Sequence, residues 1–113
     1  MDRLERYRSL IKEAILESPY YLYGSSEPDE ETLFLCDEKK DYFMLYDIGW
    51  RGTEPISTIR LLVRIKNNKI WIDEDWTEDG ITGTLLKAGV PKEDIVLAFH
   101  HPNRRQYTDF AVA

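Results

Sequence analysis

KIWIDEDWTEDGITGTLLKAGVPKEDIVLAFHHPNRRQYTDFAVA, residues 69–113, carries a strand, a helix with start and stop signals, and a second strand in one unbroken run. Residues 69–74 read as a strand that ends at Asp75-Trp76-Thr77. The spacing then predicts a helix over 78–88, with Thr77 as its N-cap and Glu78 and Asp79 at its positive end. Gly89 suits the left-handed position after a helix, Val90 supplies the apolar contact beyond it, and Pro91 bars continuation. Lys92-Glu93-Asp94 leads into a strand at 95–99. Residues 102–105 read as a loop and 107–112 as a final strand.

Working outward, Asn67-Asn68 is a two-residue hairpin turn, because asparagine tolerates the positive φ of a type I′ turn. Residues 59–66 alternate before it. Ile59, Leu61, Val63 and Ile65 share one face; Arg60, Leu62, Arg64 and Lys66 share the other. Residues 41–50 are apolar on both faces, with Tyr42, Met44, Tyr46, Ile48 and Trp50 opposite Phe43 and Leu45. That pattern predicts a central strand covered on both sides. Gly52–Pro55 is a turn, and residues 32–37 pair back through Glu38-Lys39-Lys40. The acidic run GSSEPDEE, 24–31, reads as a loop where disorder or a length insertion is expected. At the N-terminus, Leu4, Tyr7, Ile11, Ala14 and Ile15 make one apolar stripe, so 2–18 is a helix, stopped at Ser18-Pro19. The expected fold is α+β. It is a single domain over 1–113 in the order α-β-β-β-β-α-β-β, with a mostly antiparallel sheet of about six strands.

A chain of 113 residues makes one core. The formal charge of −6 opposes autonomous nucleic-acid binding, which needs a cationic footprint. Met1-Asp2-Arg3 opens no apolar signal core, and no run of about 20 apolar residues is present for a membrane span. The one cysteine, Cys36, sits in an apolar run and reads as a buried structural thiol. Together these features lead us to expect a cytoplasmic protein.

Four groups invite a chemical reading. Asp73, Glu74, Asp75, Glu78 and Asp79 offer oxygen ligands to a divalent cation, but their spacing matches no EF-hand. Helix capping and a solvated strand end explain them better, and the same carboxylates with Trp76 would dock a basic partner. His100-His101 on a strand would point to opposite faces and so not share a metal. No nucleophile stands beside them in sequence. Arg104-Arg105 near Tyr107, and the face carrying Arg60, Arg64 and Lys66, would form an anion or nucleic-acid patch if they lay together. No cofactor is expected.

Several segments resemble the XisI family, the cyanobacterial fdxN element excision controlling factor proteins. They are Lys69-Ile-Trp-Ile72, Thr77-Glu-Asp-Gly-Ile81, Gly89-Val-Pro-Lys-Glu-Asp-Ile-Val-Leu97, Phe99-His100 and Tyr107-Thr-Asp-Phe-Ala-Val-Ala113. The likeness extends upstream through Tyr42 and Gly49-Trp50 to the N-terminal helix. It departs at Leu62-Val63-Arg64, where the family shows a histidine pattern, and at Ala98, where it often has glycine. The resemblance implies an α+β domain and an accessory role in programmed DNA excision during cyanobacterial (heterocyst) differentiation. It also implies action beside a site-specific recombinase and a partner called XisH, and it carries over no catalytic residue.

Three functional expectations follow. One is a non-enzymatic factor whose segment 73–79 docks an XisH-like protein or the recombinase. The alternative is direct DNA binding through Arg60, Arg64, Lys66, Arg104 and Arg105. The third, an enzyme, needs a histidine and the carboxylates in one cleft. Self-association into a homo-oligomer is also expected, from the aromatic surplus and the need to cover sheet edges.

Overall fold

Asn67 and Asn68 have φ of 53° and 63°, the left-handed pair that a type I′ hairpin requires. They join β3 (Glu54–Lys66) to β4 (Lys69–Asp75). The computed structural model describes residues 2–24 and 27–113. Its other elements are α1 (Arg3–Leu16), α2 (Pro19–Leu22), β1 (Glu30–Asp37), β2 (Tyr42–Arg51), α3 (Thr82–Lys87), β5 (Ile95–Leu97) and α4 (Pro102–Arg105). A 3-10 turn, Lys92–Asp94, precedes β5. The five strands form one sheet in sequence order. The pairings β1–β2, β2–β3 and β3–β4 are antiparallel, and β5 runs parallel to β4 after the α3 crossover.

Asp2 caps α1, its Oδ1 accepting the Glu5 N–H at 2.8 Å. The predicted stripe is the buried one, with Tyr7, Ile11 and Ile15 packed on Phe43, Leu45, Val63, Ile70, Ile72, Leu85 and Ile95. Ser18-Pro19 does more than stop α1. Ser18 is extended and caps a new turn of helix, α2, with Pro19 in the N-terminal position that tolerates it.

The α3 helix is shorter than 78–88 because its first turn is diverted. Asp75 Oδ1 accepts the Thr77 N–H at 3.0 Å and Oδ2 accepts the Ile81 N–H at 2.8 Å, while Gly80 takes φ of +72°. The expected cap, Thr77, accepts from Gly80 N–H inside this loop, and Ile81 precedes the helix without a side-chain cap. The stop is as read. Gly89 has φ of +97°, Val90 N–H bonds to Leu85 O and Gly89 N–H to Leu86 O, which is a Schellman motif.

The expected final strand, 107–112, reduces to one parallel bridge, Ala111 to Val96. Residues 102–105 form a helical turn instead of a loop, since His101 Nδ1 accepts the Asn103 N–H and Pro102 starts the turn. The acidic loop is shorter than expected because Glu30 and Glu31 pair with Gly49 and Ile48 in β1. Ser25 and Ser26 of that loop lie outside the described residues. Cys36 is exposed, because β1 is an edge strand and Cys36 is near its end. Partial burial, then Glu38, pushes its thiol pKa up, which disfavours the reactive thiolate.

Gly49 is fixed by crowding. Trp50 N–H bonds to Asp29 O at 3.0 Å, drawing the chain across Gly49. A Cβ there would lie 2.1 Å from Asp29 O, and φ is +142°. Gly49→Ala is expected to cost roughly 2–4 kcal/mol, read as a lower urea midpoint at unchanged slope.

Burial, and then a hydrogen bond to Asp94, raise the Tyr7 phenol to about 12 from 10.0. The folded protein therefore holds this proton through a range where the unfolded chain has lost it. The stability it contributes is complete below pH 10 and falls as pH rises towards 12. Urea midpoints of the wild type and Tyr7→Phe across that range should show the extra decline in the wild type alone.

Candidate functional site

Helices α1, α2 and α3 cover one face of the sheet. Phe43, Leu45 and Asp47 on β2 point to that side and are buried. Their neighbours point the other way, where Tyr42 is 46% exposed, Ile48 40% and Trp50 54%. The expectation that β2 is covered on both sides is therefore corrected. Met44, paired with Leu35 on one side and Leu62 on the other, lies in the middle of an apolar floor open to solvent.

This outer face is closed at one end only. Trp71, 7% exposed, lies beside Val96, and the C-terminal segment bridges onto Val96 through Ala111. Three cations surround the Trp71 ring: Lys66 at 4.6 Å, Arg105 at 5.4 Å and Arg64 at 5.9 Å from its centroid. Arg105 also ties the segment down, donating to His100 O at 3.0 Å, Ala98 O at 3.3 Å and Val112 O at 3.4 Å.

The five basic residues singled out in the sequence do not share one face. The register slips between Leu45 and Tyr46, inserting Arg60 opposite β2 and breaking the strict alternation. Arg60 turns to the helix side. It bonds buried Asp47 at 2.6 and 2.8 Å and lies over the Tyr20 ring. Thr32 donates to the other Asp47 oxygen at 2.8 Å. Arg64 stays outside, paired with both oxygens of Asp73 at 2.6 and 2.8 Å, and its pKa is raised first by that bond. Lys66, Arg64 and Arg105 meet around Trp71, and Arg104 is exposed on α4.

The acidic segment divides into structural and open parts. Asp73 belongs to Arg64, and Asp75 organises the loop before α3. The side chains of Glu74, Glu78 and Asp79 have no hydrogen-bond or ion-pair partner among the described residues. Trp76 is 71% exposed. Asp73, Glu74, Asp75 and Trp76 line a cleft of about 380 Å³ with Phe99, itself 49% exposed. Sequence reading missed Phe99 here, because it assigned 95–99 to a strand. The backbone leaves β5 at Leu97, and Phe99 N–H returns to Ile72 O at 3.2 Å.

The histidines are not on a strand. His100 stacks against Phe99 at 4.6 Å between centroids, and His101 caps α4. Neither lines the acidic cleft. Among the described residues no group of histidine, cysteine and carboxylate side chains is placed to hold a metal ion, and no helix is long and apolar enough to cross a membrane.

These features define a small α+β protein with a five-stranded mixed sheet, one open apolar face and an acidic-aromatic edge. Residues 1–112 match the family model described as XisI protein, and the chain belongs to the XisI family. It is similar to the crystal structure of the fdxN element excision controlling factor XisI from Anabaena variabilis ATCC 29413. That likeness has 41% identity and a TM-score of 0.86, covering 99% of this chain and 100% of the other. It is also similar to an XisI-like protein from the same organism, with 33% identity and a TM-score of 0.87 over 97% and 99% of the two chains. Among curated proteins none matches the chain.

Arg105→Ala would free three carbonyls and uncover Trp71. The expected loss is about 2 kcal/mol. It should come with a weakened near-ultraviolet Trp signal and faster exchange of the Ala111 amide, while the strands β1–β3 keep their protection.

Proposed function

We propose that this protein is a non-enzymatic accessory factor in excision of an fdxN-type DNA element, acting in the cytoplasm by docking a basic protein partner. The controlling-factor name of its 41% identical relative supports the accessory role. The observation that carries the docking is the acidic edge. Trp76 and Phe99 stand exposed beside Glu74, with Glu78 and Asp79 close in sequence and uncompensated. An arginine or lysine from a partner gains twice there, from ring faces and from carboxylates. Exposed tryptophan is also the residue type that most often dominates an interface. The partner that the family likeness suggests is an XisH-like protein, or the recombinase itself.

Direct DNA contact has weaker support. Arg60 and Arg64 are each neutralised by a carboxylate, and Arg105 is spent on backbone carbonyls. Lys66 and Arg104 remain to meet phosphate, on a chain of net charge −6.

The test is co-expression with an XisH-like protein and with the recombinase, followed by affinity measurement. A complex is expected with one of them, weakened roughly 30-fold by Trp76→Ala and further by Glu78→Lys with Asp79→Lys. Absence of both complexes, joined to a low-salt gel shift by the protein alone, would replace this reading with the DNA-binding one.

A further inference from the structure

We propose that the outer edge of β1 receives an extended segment of a protein partner as a sixth strand, a segment with a basic residue at each end and apolar residues between. The two edges of the sheet are built differently. The β5 edge has three residues, and the C-terminal segment bridges onto it at Val96. The β1 edge has eight, with no proline, lysine or glycine, and its register with β2 is unbroken. Short strands, lysines, prolines and bulges are what keep other chains off an edge, and β1 carries none of these.

The pairing fixes which groups this edge offers. Trp50 N–H bonds to Asp29 O, so residues 31, 33, 35 and 37 are the ones that exchange bonds with β2. The N–H and C=O groups of Thr32, Phe34 and Cys36 therefore point away from the sheet, and they have no hydrogen bond among the described residues. Their side chains lie on the helix side, where a groove of about 670 Å³ is lined by Phe34, Cys36 and, from α1, Lys12. The Tyr21 ring stands edge-on to Phe34, 6.3 Å between centroids, and is 38% exposed. A strand added here would gain main-chain bonds from the edge and side-chain contacts from the groove, the two sources of affinity and specificity in strand addition.

The charges say what kind of strand fits. On the open side β1 presents Glu31, Leu33, Leu35 and Asp37, acid at both ends and leucine between. Neither carboxylate has an ion-pair partner among the described residues, and Asp37 accepts only the Lys39 and Lys40 N–H groups of its own turn. A second β1 is the wrong partner. The antiparallel register that uses residues 32, 34 and 36 of both copies sets Glu31 opposite Asp37 twice, and like charges directly opposite are destabilising. A strand that sets arginine or lysine against both acids and apolar residues against both leucines complements the whole edge. Along one side it reads basic, apolar, apolar, basic at alternate positions.

This edge includes none of Glu74, Trp76 and Phe99, so the inference and the docking reading fail separately. The probe is a synthetic peptide with Arg-Thr-Val-Thr-Val-Thr-Arg at its centre, titrated into the full chain. Binding with a Kd of about 100 μM is expected, with slowed hydrogen exchange at the amides of Thr32, Phe34 and Cys36. Cys36→Pro deletes one outward N–H and leaves the bonds to β2 in place, since an edge strand accepts proline where the N–H faces solvent. It should weaken binding about fivefold. Should that variant not fold, Glu31→Lys with Asp37→Asn, which keeps the turn's acceptor, should weaken it about 10-fold. Trp76→Ala should bind the peptide as the wild type does. No binding at about 2 mM peptide would overturn the proposal. So would equal affinity for a peptide with glutamates in place of the arginines. Protection of the Thr32, Phe34 and Cys36 amides in a peptide-free dimer would overturn it too, by making a second copy the occupant.

Discussion

One apolar stripe, Tyr7, Ile11 and Ile15 on α1, supports the rest of this structure. It covers the inward side chains of β2 and β3, and α3 with its stop at Val90 extends the cover towards β4 and β5. Helices α1, α2 and α3 commit their apolar sides to the same face of the sheet. The opposite face receives the C-terminal segment, over Trp71 and Val96. The first three strands are left open on that side. The exposed apolar surface of the sheet follows from this unequal division of cover.

Two irregularities in the strands then decide where the charges go. The slip at Leu45/Tyr46 turns Arg60 inward to Asp47, and the slip at Leu62/Val63 sets Asp73 within reach of Arg64. A regular ladder would have placed Arg60 with Arg64 and Lys66 on one face. The bulges instead pair two of the three cations and thin the basic face. Meanwhile Glu74 keeps its place beside Leu62 and remains uncompensated, next to Trp76 and Phe99. The electrostatic character of the open side is therefore a product of register as much as of composition.

Much of this architecture was legible in local chemistry. The stripe of α1, the Asn67-Asn68 hairpin, the Schellman stop at Gly89 and the antiparallel meander all rest on contacts within a few residues, and they stand where the residue pattern places them. The start of α3 was misread because Asp75 reaches six residues forward to Ile81, a bond that propensity does not register. The last segment resembles a strand in composition, yet Arg105 holds it as an irregular cover joined by one bridge. The acidic segment was legible as a group. Its division into spent and open carboxylates was not, since that depends on Arg64 and on the loop.

Periodicity and turn residues in this chain specify the α+β order, the hairpins and the family likeness, because each is encoded by neighbours in sequence. They do not specify whether the outward side of β2 is buried. An apolar residue there reads the same whether a helix, a segment or a second molecule lies above it. That choice belongs to tertiary structure, where the inner face takes the helices and leaves Tyr42, Met44 and Trp50 towards solvent. The physical reason is supply: two main helices and a short C-terminal cover are too little surface for both faces of a five-stranded sheet.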